Sequence, residues 1–348
     1  MNTVNLDDLP WEEWSSPGGR FHGLSKELSI ALGAQRNATL GDGGHPFDLE
    51  LGRLRPGKSG CPMHSHSSQW ELFVFLSGAG TVRYGSAQGE VRAGDAVMHP
   101  PGEAHQLINT GATDLDYLLV ADNPLVDIWH YPDSDKWGFR KPRKFFRATD
   151  LEYYVGEDDG PPLAGSGEDG LANAASPPEP PGPLARFVSL ESIPWELRQS
   201  PKKKYASYCR DISLALGGTR DVGPWAGGHP FDLQIRRVPP GAAVCPLHAH
   251  SMQWEMFWVI SGTATVRTRT GAAAAEARQS VRAGDVFLQS PGTAHQILNT
   301  GDEEFVFYVV ADNPPAETCY YPESDKWMIK PQRKVVRITE TDYFDGEE

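Results

Sequence analysis

The sequence His64-Ser-His-Ser-Ser-Gln-Trp-Glu71 is the most informative segment of this chain, because it occurs twice. It returns 184 residues later as His248-Ala-His-Ser-Met-Gln-Trp-Glu255. Further along, Tyr131–Trp137 and Tyr321–Trp327 match with an offset of 190, since the second copy carries six extra residues. Such self-similarity indicates a tandem duplication, in which each copy forms a lobe with the same fold.

A segment of unusual composition separates the two copies. Residues 156–185 contain seven prolines and six glycines and almost no large apolar side chain. Such a segment cannot bury enough surface to offset its ordering entropy, so we predict a flexible linker. The 348-residue chain therefore divides into a first lobe at 1–158, a linker at 159–186 and a second lobe at 187–348.

Within each lobe, apolar residues recur with a period of two. Phe47, Leu49 and Leu51 alternate with polar residues, and turn signals separate short runs of this kind. Short strands at such spacing indicate an all-β sandwich or barrel. Short helical segments are expected only near the start of each lobe, around 25–32 and 211–216.

Composition and charge restrict the partners. The chain is 39% hydrophobic with a formal net charge of −14, a surface that repels phosphate backbones and anionic lipid. No apolar run approaches the ~18 residues of a membrane helix, and the acidic N-terminal segment has no targeting pattern. We therefore expect a cytoplasmic protein with a small-molecule ligand or substrate and neither a nucleic acid nor a membrane partner. The two lobes are expected to pack on each other, and further homo-oligomerisation is left open.

Each lobe carries three histidines and one glutamate in the same arrangement. On a strand, His-x-His directs both imidazoles to one face because side chains alternate. A short turn brings the glutamate back beside them, and the third histidine begins a later strand. Three imidazoles and one carboxylate suit a divalent first-row metal ion. The predicted ligands are His64, His66, Glu71 and His105 in the first lobe and His248, His250, Glu255 and His295 in the second.

These residues belong to two longer motifs in each lobe. The first lobe has His64-x-His66-x4-Glu71-x6-Gly78 and then Gly94-x5-Pro100-x-Gly102-x2-His105-x3-Asn109, and the second repeats both with Ser290 in place of the proline. The pattern resembles the two motifs of the cupin superfamily. The resemblance implies two tandem cupin jelly-roll β-barrels with one metal ion inside the mouth of each. Iron or manganese is the first expectation, and nickel, zinc, cobalt and copper are left open.

Cupins with this ligand set include oxygenases, decarboxylases, isomerases and binding proteins, so the fold alone does not give the function. Oxalate decarboxylases have an arginine three residues before the first ligand histidine, where this chain has Cys61 and Cys245. A thiol cannot replace the charge-assisted contact of that arginine with a dicarboxylate. Four protein ligands would leave two positions on a six-coordinate ion for substrate and O₂, which favours a dioxygenase. A sugar or hydroxyacid isomerase and a non-catalytic metal-dependent binding protein are the alternatives.

Residues beside the ligands are further candidates. Gln69 and Gln253 precede the glutamate by two positions and share its face, so they are the candidate catalytic residues. Trp70 and Trp254 point the other way and are expected to pack between sheets or lobes. If Met252 lines the second pocket, that pocket is expected to be the more apolar of the two.

Overall fold

The computed structural model describes residues 2–151, 153–155, 186–271 and 275–347. The predicted linker therefore lies outside the described residues, except for Arg186 at its end, and the proposed boundaries remain predictions. The described residues are nearly all β-structure, which confirms the predicted fold class. Among them, no helix is long and apolar enough to cross a membrane.

The strands of the first half are short and follow one another closely. They are β1 (Asn2–Asn5), β2 (Glu12–Ser15), β3 (His22–Glu27), β4 (Phe47–Leu54), β5 (Ser65–His66), β6 (Glu71–Ser77), β7 (Ala79–Tyr84), β8 (Ala87–Arg92), β9 (Asp95–His99), β10 (His105–Ile108), β11 (Leu115–Asp122), β12 (Ile128–Tyr131), β13 (Lys136–Phe139) and β14 (Lys144–Phe146).

The second half repeats the same order. Its strands are β15 (Phe187–Ser189), β16 (Glu196–Gln199), β17 (Ala206–Asp211), β18 (Phe231–Val238), β19 (Ala249–His250), β20 (Glu255–Ser261), β21 (Thr263–Thr270), β22 (Ala277–Arg282), β23 (Asp285–Gln289), β24 (Thr293–Leu298), β25 (Phe305–Asp312), β26 (Glu317–Tyr321), β27 (Lys326–Lys330) and β28 (Lys334–Val336).

Helix is confined to a few short turns. The α-helices are α1 (Leu28–Ala31) and α2 (Ile212–Ala215), and 3-10 turns lie at Leu6–Asp8, Leu40–Asp42, Leu190–Ser192 and Pro224–Ala226. Both α-helices fall where helix was expected, but the first begins later than predicted. Residues before Leu28 continue β3 instead, because they pair with β4 in the register Ser25↔Gly52.

Each half contributes one large sheet and two smaller ones. In the first half the large sheet has the order β9-β6-β11-β4-β3-β2, and the smaller sheets are β10-β7-β8 and β14-β13-β12-β5. In the second half the corresponding orders are β23-β20-β25-β18-β17-β16, β22-β21-β24 and β19-β26-β27-β28. Neighbouring strands are antiparallel, with β11 running beside β4 from Leu115↔Leu54 to Asp122↔Phe47. We call these units the first and second barrel.

The two barrels exchange their first strands. Strand β1 pairs with β23 of the second barrel, with Asn2 opposite Leu288. Strand β15 pairs in the same way with β9 of the first barrel, with Phe187 opposite Val97. Each large sheet therefore gains a seventh strand from the other half of the chain, which covers an edge that would otherwise expose unpaired backbone groups.

The largest apolar cluster lies between the barrels. It contains fully buried residues from both halves, among them Leu28, Phe47, Ile212 and Phe231. Burying each such side chain contributes about 1.5–3 kcal/mol. The expected packing of the two barrels on each other is therefore confirmed. A separate cluster fills each barrel, and these interiors position the sites described next.

Candidate metal centres

The four predicted ligands of the first barrel come together at its mouth. His66 lies on β5, Glu71 begins β6 and His105 begins β10. The backbones of His64 and His105 form an isolated antiparallel bridge, with N–O distances of 3.1 and 2.8 Å. Three separate sheets therefore meet at this point, and the bridge sets the distance between the first and third histidines.

The side chains of the first barrel converge on one point. Nε2 of His64 lies 3.1 Å from Nε2 of His66, and Nε2 of His105 lies 2.7 Å from Oε2 of Glu71. The ligand atoms of His64, His66 and Glu71 all lie within 4.8 Å of one another. Burial opposes ionisation of Glu71, but the His105 hydrogen bond and the neighbouring imidazoles outweigh it and hold its pKa below its usual range.

In the second barrel all four candidate ligand atoms lie within 4.8 Å of one another. Nε2 of His250, Nε2 of His295 and Oε2 of Glu255 are buried and have no hydrogen-bond partner among the described residues. The contact of 2.8 Å between the last two atoms lacks hydrogen-bond geometry. Buried polar atoms without partners are costly, and a cation between them would satisfy all three. The residues therefore fit a divalent metal ion.

The other ring nitrogen of each histidine is held by a partner outside the group. Nδ1 of His66 lies 2.6 Å from Oδ2 of Asp127, and Nδ1 of His250 lies 2.9 Å from Oε1 of Glu317. Nδ1 of His64 lies 3.0 Å from the Pro62 carbonyl. Each partner is an acceptor, so Nδ1 carries the proton and donates it, which leaves the Nε2 lone pair directed at the centre.

Asp127 and Glu317 were missed by the sequence analysis. They are equivalent residues at the offset of 190, and each is the third residue after the proline of the repeated sequence Asp-Asn-Pro. This recurrence of an acid was the available signal. Each carboxylate also accepts backbone N–H groups of the loop before the glutamate, including that of Ser68 at 3.1 Å and that of Met252 at 2.8 Å.

Three of the four candidate ligands of the first barrel, His64, Glu71 and His105, line an acidic cavity of about 430 Å³. Its lining includes Glu12, Glu13, Glu27, Glu50 and Glu71 but only one cation, Arg36. The side-chain carboxyl group of Glu50 makes no hydrogen bond or ion pair within the described part of the chain. Its burial, with the nearby charges of Glu27 and Glu71, raises the pKa of Glu50 to about 8. The first cavity thus holds a carboxyl group that exchanges a proton near neutral pH.

The cavity of the second barrel is smaller and carries many cations. Its volume is about 300 Å³, and all four candidate ligands of this barrel line it. The lining includes the cations Arg198, Arg220, Arg236, Lys330 and Arg333 beside the acids Asp221, Asp232 and Glu255. In the first barrel the equivalent of Lys330 is Arg140, which lines the adjacent cavity that shares Glu50. The two sites therefore have the same ligand set, with more cations and fewer acids around the second.

The condition attached to the prediction about Met252 is not met. Met252 is 54% exposed and does not belong to the lining of the second cavity. The loop that carries it is turned outward, because its backbone N–H groups point inward to Glu317. The second cavity is distinguished by its cations and not by added apolar surface.

The two glutamines differ in their surroundings. Nε2 of each donates to a backbone carbonyl, that of Asp122 for Gln69 and that of Asp312 for Gln253. Gln253 lines the cavity of its candidate metal centre, and its Oε1 accepts a hydrogen bond from Lys330 at 2.9 Å. Gln69 lines an adjacent cavity instead. Their catalytic role remains a prediction.

The cysteines before the first ligand histidine point at that histidine. Sγ of Cys61 lies 3.4 Å from Nδ1 of His64, and Sγ of Cys245 lies 3.5 Å from Nδ1 of His248. Burial raises the pKa of the Cys61 thiol, as do the charges of Glu71 and Glu50. Cys61 is therefore a neutral thiol in the wall of its cavity.

The tryptophans beside the ligand glutamates pack between the barrels, as expected. The ring of Trp70 lies 5.3 Å from that of His229, and the ring of Trp254 lies 5.4 Å from that of His45. Each contact joins one barrel to the other. The back of each metal centre is therefore also the interface between barrels.

Comparisons with known proteins agree with this architecture. The cupin domain family matches residues 51–121 and 234–311, one match in each barrel. The chain therefore contains two cupin domains. Auxin-binding protein 1 of Arabidopsis thaliana is 30% identical over 138 residues, which are 37% of this chain and 63% of that protein. An oxalate-binding protein of Thermotoga maritima is 35% identical over 68 residues, which are 20% of this chain and 55% of that protein. The chain thus spans less than two thirds of either relative.

Solved structures of two-barrel proteins share the fold at low sequence identity. The oxalate decarboxylase of Lactobacillus farciminis in complex with formate has a TM-score of 0.54 at 15% identity, over 90% of this chain and 86% of that one. The oxalate decarboxylase of Bacillus subtilis at pH 4.6 has a TM-score of 0.53 at 18% identity, over 91% and 78%. At this identity the likeness concerns the fold alone.

Proposed function

We propose that this protein is a metal-dependent enzyme that acts on a small oxygenated molecule, with one divalent first-row ion in each barrel. The observation that carries the proposal is the placement of each candidate ligand group in the wall of a cavity. Cavities of about 430 and 300 Å³ lie at the lower end of the range for small-molecule sites, roughly 300–1,000 Å³. The unpartnered nitrogen and oxygen atoms of the second barrel support the metal assignment.

The residues of the chain would prepare each site before substrate arrives. Asp127 and Glu317 would hold one imidazole of each ligand group in a fixed tautomer, and the neighbouring backbone carbonyls would hold the others. When bound, the ion would supply Lewis acidity and, for iron or manganese, redox chemistry. Iron and manganese remain the proposed ions because histidine nitrogen and carboxylate oxygen suit both.

An O₂-dependent oxidation remains the leading proposal for the reaction. It rests on the ligand set itself. In addition, the chain lacks the arginine that oxalate decarboxylases carry beside the first histidine. The names of the oxalate-binding relative and of the oxalate decarboxylases support a small oxygenated acid as the substrate class. The reaction itself is not inherited from them.

Isomerisation is the second candidate, and Glu50 favours it. This carboxyl lies in the first cavity with the candidate ligands and has no partner there. A group that loses its proton near neutral pH is suited to move a proton on a substrate whose carbonyl is polarised nearby. No comparable acid stands at the equivalent position of the second barrel, where the residue is Gln234.

Metal content is the first test of the proposal. Elemental analysis of the protein purified without added metal should show about two ions per chain. His64→Ala and His248→Ala should each retain about one, with the β-sheet circular dichroism of the parent. Unchanged metal content in both variants would contradict the assignment.

Turnover is the second test. A panel of small hydroxy and keto acids should be screened in ²H₂O, with an oxygen electrode to follow O₂ and NMR to follow substrate. Oxygen uptake in proportion to substrate loss supports oxidation, whereas deuterium incorporation without oxygen uptake supports isomerisation. Binding of these acids to the metal-loaded protein without any conversion would contradict an enzyme and indicate a binding protein.

A further inference from the structure

Six equivalent positions in and around the two cavities carry a different balance of charge, and four of them differ in residue type. The first barrel has Glu12, Trp14, Glu27, Arg36, Glu50 and Gly52, and the second has Glu196, Arg198, Asp211, Arg220, Gln234 and Arg236. One arginine and three acids therefore become three arginines and two acids. Since both copies keep identical candidate ligands, this change concerns the molecule bound beside the ion and not the ion itself.

Arg198 and Arg236 are cations of the second cavity that have no counterpart in the first barrel, and of these two only Arg236 lacks a carboxylate partner in the described part of the chain. Its Nε and Nη2 donate to Oε1 of Gln234 at 3.1 and 2.8 Å. In the described part of the chain, no carboxylate lies within ion-pair distance of Arg236, unlike Arg198 and Arg220, which pair with Asp211. A guanidinium has five N–H donors, so about three remain for a ligand.

The Gln234 side chain sets the direction of this guanidinium. Nε2 of Gln234 donates to Oδ2 of Asp211 at 2.9 Å, which fixes the amide and turns its oxygen to Arg236. Asp211 is in turn held by Arg220 at 3.1 Å. Arg236 therefore stands in a chain of hydrogen bonds that orients its free donors before any ligand binds.

The sheet register places this cation at a useful distance from the candidate ligands. Asp232 pairs with Ala311, which pairs with Glu255, so these residues form one row across the sheet. Gln234 lies in the next row, roughly 7 Å further along the strand. The Arg236 guanidinium is hydrogen-bonded to Gln234, so it lies above the row that contains Gln234. A small dicarboxylate is long enough to reach from this guanidinium to the candidate ligands.

The first barrel cannot offer the same contact. Gly52 occupies the position of Arg236, and a Cβ there would lie 2.1 Å from the Tyr117 ring. The second barrel has Phe307 opposite Arg236, in the place of Tyr117. Glu50 replaces Gln234 and adds an acid where the second barrel has a neutral amide. An anionic ligand would therefore meet acids in one barrel and an available arginine in the other.

We propose that the second barrel is the site for a small carboxylate-bearing molecule, that Arg236 binds its carboxylate at the side of the cavity away from the ion, and that the first barrel does not take this molecule. The proposal deepens the proposed function, because it assigns the substrate class to one of the two centres. A planar guanidinium with free donors matches a carboxylate, and a cavity of about 300 Å³ is suited to a small molecule.

Calorimetric titration of the metal-loaded protein tests the proposal with three probes. Malonate is the dicarboxylate, malonamide its neutral analogue, and inorganic phosphate a different anion. We expect one malonate per chain, weaker phosphate and much weaker malonamide. Arg236→Gln should weaken malonate binding about 10- to 100-fold, the cost of losing a charge-assisted pair, and leave malonamide binding within twofold.

Arg237→Gln is the matched control. Arg237 is the next residue of β18, on the opposite face of the sheet, where it pairs with Glu304 at 3.5 Å and covers Trp195. The substitution Arg237→Gln removes the same charge from the same strand without changing the cavity, so malonate affinity should stay within twofold. Retention of two ions per chain would show that both variants are folded.

Several outcomes would overturn the proposal. They are an unchanged malonate affinity in Arg236→Gln, an equal loss in Arg237→Gln, two equivalent malonates per chain, and phosphate binding tighter than malonate. None of these depends on turnover. Arg236-dependent malonate binding without conversion of any acid would support this binding site and would contradict only the proposal that the protein is an enzyme.

Discussion

His45 of the first barrel packs against Trp254 of the second, with ring centroids 5.4 Å apart and planes tilted by 35°. The same contact occurs in reverse between Trp70 and His229, at 5.3 Å. These residues are equivalent by the repeat offset, so the interface has a pseudo-twofold relation between the barrels. Nδ1 of each histidine is buried and has no hydrogen-bond partner among the described residues. The interface therefore accepts these rings only in the neutral form.

This contact predicts a loss of stability in acid. Burial lowers the pKa of His229 to about 4, against the charge of Asp211, and lowers that of His45 against Asp48. Because the unfolded-state pKa is about 6.5, the contribution of the neutral ring is complete above that pH and is lost as the pH falls through about 4. Urea unfolding from pH 7 to 4 should therefore show a smaller pH slope in His229→Gln than in the parent, by up to about 1.4 kcal/mol per pH unit. An equal slope would contradict the neutral-ring interface.

For Glu50 we predict the opposite effect, a loss of folding stability as the pH rises. Its folded pKa of about 8 exceeds the unfolded value near 4.5, so the ionised form destabilises the fold as the pH rises from 4.5 to 8. Glu50→Gln keeps the shape and removes the charge. The metal-free variant should match the parent at pH 4.5 and exceed its stability at pH 8, at about 1.4 kcal/mol for each unit of pKa shift that solvent does not screen.

The matched control for this prediction is Glu27→Gln. Glu27 lines the same cavity but pairs with Arg36 at 3.0 Å. Removing its charge relieves Glu50 of one neighbouring charge but leaves Glu50 buried and also removes the ion pair with Arg36, so the gain at pH 8 should be smaller than in Glu50→Gln. A Glu50→Gln variant that is no more stable than the parent at pH 8 would show that Glu50 is ionised at no cost.

Asp127 and Glu317 are predicted to act through the histidines that they hold. Asp127→Asn should weaken metal binding in the first barrel by about 10- to 100-fold, because the His66 ring loses the acceptor that fixes its tautomer. Chelator competition on a His248→Ala background, which leaves only the first centre, measures this affinity. Asp127→Glu should recover part of it, since the second barrel uses glutamate at this position. Unaltered affinity in Asp127→Asn would assign the carboxylate to loop structure alone.

The exchanged strand before the second barrel reaches the first metal centre. Arg186 forms an ion pair with Glu103, Glu103 lies 2.9 Å from Nδ1 of His99, and the His99 ring stacks on that of His105 at 4.1 Å. We predict that Arg186→Met raises the metal dissociation constant of the first candidate centre by up to about tenfold. The substitution removes the ion pair with Glu103, which holds the His99 ring against His105. The second centre, with Gln289 and Thr293 in place of His99 and Glu103, should be unaffected.

Chelator competition in two backgrounds separates these effects. His248→Ala leaves the first centre and His64→Ala leaves the second. Equal changes in both backgrounds would mean that Arg186→Met acts on overall stability and not on the first centre.

The candidate ligand groups, the duplication and the β-barrel class could all be predicted from the residue pattern. Strand alternation is a local property, and a motif that recurs with its spacing intact identifies His64, His66, Glu71 and their counterparts without knowledge of the fold. The same alternation predicted that Trp70 and Trp254 face away from the ligands. The start of the first helix was misjudged, because the pairing of β3 with β4 competes with local helix preference over Ser25–Glu27.

Contacts between segments that lie far apart in the sequence could be identified only from the folded structure. Asp127 reaches His66 because β12 pairs with β5 across about sixty residues, and Arg186 reaches Glu103 because the first strands of the halves are exchanged. The difference in charge between the two cavities is visible in the sequence as Glu50 against Gln234 and Gly52 against Arg236. Its meaning depends on which face of β4 and β18 borders the cavity and on whether a partner neutralises each charge. Both are set by pairing and packing between segments far apart in the chain, and no local pattern encodes them.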